Sequence, residues 1–171
     1  MRCSTWYTLG TGALPWPMAG KNFIFHRERY RGYCQALSDA GLPYEEASGD
    51  AGIQRRGQFF HRLTQEVMRL PQPPDAIFTT SDPKAFVVMH ALHDMGVRIP
   101  EDVSVLGFDN VSLSSMVEPP LSTVAQPLYD MGLWPPKNLI HQIRYKEKNG
   151  ELPPPVRNVL GVDLIVRRST R

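Results

Sequence analysis

Cysteine is nearly absent from this sequence: Cys3 and Cys34 are the only two in 171 residues. That is too few for a disulfide framework, and they lack metal-ligand spacing. Two free thiols suit a reducing cytosol. No apolar run approaches the ~18 residues that a membrane-crossing helix needs. The opening MRCSTWYTLGTGALPWPMAG has one early Arg, and Thr, Gly and Pro break its apolar stretch, so it makes a poor export signal. A cytoplasmic protein without a membrane partner is expected. An excess of one charge is also lacking, since 19 Lys+Arg face 17 Asp+Glu for a net +2. This excludes a basic nucleic-acid tail and an acidic solvating segment. Nucleotide loops are missing too. Pro15 stands where the third glycine after Gly10 and Gly12 would be, and there is neither a Gly-Lys-Ser/Thr loop nor a Gly-x-Ser-x-Gly elbow. No cofactor, metal or catalytic residue is expected.

What is present is an ordinary globular composition with 42% hydrophobic and 21% charged residues, which excludes disorder and fibres. Proline is the one excess, with 16 residues clustered at element boundaries. Residues 1–21 read as an irregular segment interrupted by Gly and Pro. From Arg27, the apolar positions Tyr30, Tyr33, Cys34 and Leu37 share one helix face, and Gly41 with Pro43 close that helix. A second helix is expected from an Asp50 cap to Leu70. Ala76–Thr80 reads as a buried strand, Pro83–Met95 as a helix ended by Gly96, and Val103–Phe108 as a second strand. Strand, helix and strand within about thirty residues form a βαβ unit, so the two strands should be parallel. Further strands are expected at Leu121–Ala125 and Val162–Arg167, with a helix from Pro127 or Leu128 between them. The alternation implies a doubly wound, mostly parallel α/β sheet. Two features sit uneasily with it: Pro135 and Pro136 fall inside the last helix, and the βαβ count is low for a fold with a cleft between two lobes.

In open α/β sheets, ligands bind beyond the carboxyl ends of strands, where helix N-termini present free N–H groups. Ser81 and Asp82 follow one strand, Asp109 follows the next, and Arg29 lies near the start of the first helix. A carboxylate such as Asp109 accepts hydroxyl or N–H hydrogen bonds, and Arg29 offers a fork of donors. Blander readings stand beside these. Asp109 is also a natural turn former before Asn110, Arg29 a solvated helix-face Arg, and Asp82 a cap preceding Pro83. His90 and His93 lie three apart on one helix with no third ligand evident, so they read as its polar edge. That helix is apolar nearly all round, which requires cover on both sides. One side meets the sheet, and the other meets either a second subunit or another helix of this chain.

Residues Arg29 to Thr170 resemble the effector-binding core of the LacI/GalR transcriptional regulators, relatives of the periplasmic sugar-binding proteins. The segments carrying the resemblance are Arg29-Tyr30-Arg31-Gly32-Tyr33 with Ala36-Leu37, Pro73-Pro74-Asp75-Ala76-Ile77-Phe78, and Pro100-Glu101-Asp102-Val103-Ser104-Val105-Leu106-Gly107-Phe108-Asp109-Asn110. They continue through Pro119–Pro127 and end at Leu164–Thr170. The resemblance implies a partial sensor domain over residues 22–171, mainly the carboxyl-terminal lobe of a periplasmic binding protein-like fold. It also implies that Arg29, Ser81, Asp109 and Gln126 contact a sugar-like effector, with Phe23, Phe25 and Ala51 as pocket wall. The helix from Pro83 resembles a homodimer interface carrying Phe86, Val87, His90 and Ala91. The family's helix-turn-helix is absent from the sequence, so operator DNA would be reached only through a segment this chain does not contain. The chain reads as a fragment, a shortened product or a decayed copy. A sugar-import binding protein, or a small α/β enzyme using Asp109 with His90 or His93, are the alternatives.

Overall fold

The protein is described here from a computed structural model, whose described residues are 6–9, 24–41 and 56–171. The chain divides into two compact units: Met1–Val124 with Leu164–Arg171, and Ala125–Asp163. Five strands form one sheet in the order β1-β2-β3-β4-β5: β1 (Trp6–Leu9), β2 (Ala76–Thr79), β3 (Ser104–Asp109), β4 (Ser122–Ala125) and β5 (Asp163–Ile165). The first three run parallel, with Ala76 opposite Trp6 on one side and Ser104 on the other.

Strand β1 falls inside the segment expected to be irregular. Trp6-Tyr7-Thr8-Leu9 is a run of aromatic and β-branched residues suited to a pleated surface, but four residues before Gly10 are too short to show a period. The remainder of 1–23, including Phe23, lies outside the described residues, as do Asp50 and Ala51.

Helix α1 spans Ile24–Asp39, α2 Arg56–Met68 and α3 Asp82–Asp94. Gly41 (φ 63°) and Gly96 (φ 70°) follow α1 and α3 in left-handed conformations, as expected of helix-terminating glycines. The core joins α2 (Leu63, Val67), β2 (Ile77), α3 (Ala85, Val88, Met89, Leu92), β3 (Val103, Val105) and Leu121. Each fully buried Leu, Ile or Val in it contributes roughly 1.5–3 kcal/mol by leaving water. The carboxyl-terminal residues stitch β3 to β4. The Ser169 carbonyl accepts the Val105 N–H, its hydroxyl donates to the Val105 carbonyl at 2.6 Å, and that same hydroxyl accepts from Ser122 N at 2.8 Å.

The second unit carries α4 (Leu128–Asn149), and here the expected interruption does not occur. Pro135 and Pro136 sit inside a continuous helix, none of whose residues is buried. On an exposed helix, water can satisfy the carbonyls that two missing N–H groups leave open, which lowers the penalty for internal proline. Leu128, Tyr129 and Leu139 of this helix are exposed apolar side chains.

Candidate functional site

The carboxyl ends of β2 and β3 bring together what the sequence suggested. Helix α1 presents Arg29, whose Nη1 donates to the carbonyl of Thr80 at 2.6 Å and whose Nη2 lies 3.2 Å from Asp109 Oδ1. The guanidinium carbon stands 3.8 Å from the centre of the Phe108 ring. One cation is thus held by a strand-end carbonyl, a strand-end carboxylate and an aromatic face. The pair is neither buried nor freely solvated, with side-chain exposures of 14% for Arg29 and 29% for Asp109. Both partners can therefore be reached by a ligand while water screens them only in part. Tyr33, one helical turn past Arg29, stacks on Phe78 with ring centres 5.9 Å apart, which fixes α1 against β2.

The turn carrying Asp109 has an uncommon backbone. Asp109 has φ 112° and Asn110 φ 54°, both in the region that favours glycine. Non-glycine residues stay there only when their surroundings over-determine them, and such residues cluster at functional sites. Three supports are present around Asn110. Its N–H donates to Thr123 Oγ1 at 3.3 Å, its side-chain oxygen accepts from Arg167 Nη2 at 2.8 Å, and Val111 N–H next to it donates to Asp82 Oδ2 at 2.9 Å. Arg167 itself is anchored on the Leu121 carbonyl at 2.6 Å. The sequence marks Arg167 only as the end of an expected strand, not as a contact of this turn.

Ser81 occupies the N-cap position of α3 without a side-chain capping bond, and its carbonyl accepts from Lys84 N and Ala85 N. Asp82, expected to be the cap, is instead the first residue of the helix, with its carboxylate turned into the interior. The capping reading fails because hydroxyl and amide donors below it offer better partners than the helix's own N–H groups. Gln126 belongs to the second unit, where it lines a cavity of about 640 Å³ with Met131, Trp134, Asn138 and Val159. Phe25 lies on α1, its side chain outside the described residues.

Helix α2 packs along α3 and covers part of its apolar circumference. Ala91 is fully buried within the chain, whereas Phe86 and Val87 are partly exposed and His90 is exposed. Phe86, Met89, His90 and His93 line a cavity of about 750 Å³ with Val117 and Pro119. At the edge of that face, His61 Nε2 and Asp94 Oδ2 lie 2.8 Å apart, and His90 Nδ1 is 3.4 Å from Asp94 Oδ1. The His61 hydrogen bond holds the Asp94 carboxyl below its usual value, against a smaller opposing effect of burial. No group among the described residues is placed to hold a metal ion. His90 stands eight residues along α3, about 12 Å from the N-terminus where Asp109 and Arg29 gather.

A family model described as a periplasmic binding protein-like domain matches residues 19–170. The HTH-type transcriptional repressor CytR of Escherichia coli (strain K12) is 34% identical over 146 residues, which is 84% of this chain and 40% of that protein. Among solved structures, a transcriptional regulator CelR–cellobiose complex superposes with a TM-score of 0.77 at 31% identity, covering 97% of this chain and 46% of that one. A LacI family transcriptional regulator from Enterococcus faecium with bound ribose gives 0.67 at 27% identity, covering 84% of this chain and 51% of that one. The chain thus spans about 40% of the length of the curated relative.

Proposed function

The chain belongs to the periplasmic binding protein-like family, among the LacI/GalR transcriptional regulators, and from that premise we propose that it is the ligand-sensing part of such a regulator. The effector is a neutral, sugar-like molecule, and Arg29, Asp109 and Ser81 are its contacts in the first unit. The observation that carries this reading is the Arg29–Asp109 pair at the ends of β2 and β3. A carboxylate that accepts from two hydroxyls and a guanidinium that donates to others form a matched set for a polyol. The bound sugars named for the CelR and Enterococcus faecium structures support the same class.

No chemical step is assigned. The relatives are regulators, and the enzyme alternative loses its geometry because His90 engages Asp94 while Asp109 engages Arg29. In the whole regulator, effector binding biases the population of two conformations, and operator affinity follows through the DNA-binding segment. Such a regulator works where the DNA is, in the cytoplasm. Two copies associate through the outer face of α3, at Phe86 and His90.

Calorimetric titration with neutral mono- and disaccharides, ribose and cellobiose included, tests the site. At least one sugar should bind, and Arg29→Ala and Asp109→Ala should each weaken it tenfold or more while the fold persists. Unchanged affinity in both variants refutes the assignment.

A further inference from the structure

Asp82 is completely buried, yet it belongs neither to a helix cap nor to the Arg29–Asp109 pair. Its carboxylate takes three hydrogen bonds, all from chain that follows Asp109. Oδ2 accepts from the Val111 N–H at 2.9 Å and from the Ser114 hydroxyl at 2.6 Å, and Oδ1 accepts from the Thr123 hydroxyl at 2.6 Å. Thr123 is a relay: the oxygen that donates to Asp82 also accepts the Asn110 N–H. Asn110, the second residue of the left-handed turn, and Val111 after it are therefore tied, through one hydroxyl and directly, to one buried carboxylate.

The sheet makes room for it. A Cβ on Gly107 would collide with Asp82 Oδ1 and stand 2.9 Å from Leu121 Cδ2, so a side chain at that point of β3 would expel the carboxylate. Asp82 also begins α3, whose N-terminal N–H groups favour a negative charge there. A helix start, a missing side chain in a strand and three converging donors all serve one contact set.

We propose that Asp82 is a positioning residue. Its buried carboxylate holds the Asp109–Asn110 turn in its left-handed conformation and thereby keeps the Asp109 carboxylate beside Arg29. The effector reading supplies the purpose of this arrangement, but the arrangement itself is read without any sugar.

Asp82→Asn is the direct test, because it keeps the shape and gives up one acceptor oxygen for a donor. The new amide N–H faces either the Val111 N–H or the Thr123 hydroxyl that accepts from Asn110, so one of these two ties is lost. Nuclear magnetic resonance of the full chain should show the Val111 or the Asn110 amide exchanging at least tenfold faster. The Asp109 carboxyl and Arg29 guanidinium resonances should shift, while the Ile77, Val88 and Leu92 amides keep their protection. Ser114→Ala, which leaves the carboxylate in place, should move the same resonances by less. If Asp82→Asn loosens the whole core, Ser114→Ala decides. The proposal is overturned if the turn resonances stay put in both variants, or if they move in Ser114→Ala only together with Ile77, Val88 and Leu92. Failure of the unaltered protein to bind any sugar would remove the effector reading and leave this result standing.

Discussion

Asp109 and Asn110 show how a single turn can be costly and still be retained. Each left-handed non-glycine residue costs on the order of 1–3 kcal/mol. Hydrogen bonds from both sides offset that cost: Arg29 on the open side, and Thr123, Arg167 and Asp82 on the buried side. At the other end of the first unit, Asp102 shows a different use of a carboxylate. Its two oxygens take the backbone N–H, Nε and Nη2 of Arg98, and these hydrogen bonds lower its pKa to about 2. A depressed carboxylate stabilises the folded chain above its ordinary pKa and loses that contribution as pH falls toward the folded value. The loop from Arg98 to Asp102 should therefore hold from neutral pH down to about 4 and loosen from there to about 2. Amide exchange of Asp102 and Val103 across that range should show the transition, and Asp102→Asn should abolish its pH dependence. The pair is exposed, so water screens it and global stability should change little.

Arg29 and Asp109 were legible because type and place coincided: a donor fork and a carboxylate at strand ends, where α/β sheets bind ligands. Asp82 was not legible in the same way. Before a proline at a helix start, an aspartate reads as a cap, and only the packing of β3 and β4 beneath it reveals other donors. Arg167 stands in the last segment that carries the resemblance, but its role gave no signal, since its partners Leu121 and Asn110 are more than 40 residues away.

Among elements, the periodic ones and the short strands β4 and β5 were read correctly, whereas β1 and the continuity of α4 were not. The β2–α3–β3 unit was visible in buried strands, a proline near the helix start and a glycine after its end. β1 is four residues long and its partner β2 lies some seventy residues on, so local pattern carried no trace of the pairing. In α4, proline propensity argued for a break, and the exposure of Pro135 and Pro136 allowed the helix to continue. The all-round apolar character of α3 required cover, and α2 supplies part of it from within the chain. What remains is the outer face around Phe86 and His90, and the second copy is proposed to sit there. A buried, unpaired charge in an interface is costly. Phe86→Glu should therefore convert a sedimenting dimer to monomer with the helix content retained, whereas the same change at Ala91 would strike the chain's own core. A monomer for the unaltered protein at high concentration would contradict the interface.

At the scale of the molecule, the proposed effector contacts Arg29, Ser81 and Asp109 all belong to the first unit. In a regulator with two conformations, a ligand shifts the equilibrium only by its differential affinity for the two states. The exposed apolar side chains of α4, Tyr129 and Leu139 among them, form a surface of the kind that promotes association in water. Where the sugar sits tests the account most directly. The structure of the protein with saturating ribose or cellobiose should place the sugar's hydroxyls within hydrogen-bond distance of the Asp109 carboxylate and the Arg29 guanidinium, at the ends of β2 and β3. A sugar bound elsewhere, with the Arg29–Asp109 pair undisturbed, would contradict it.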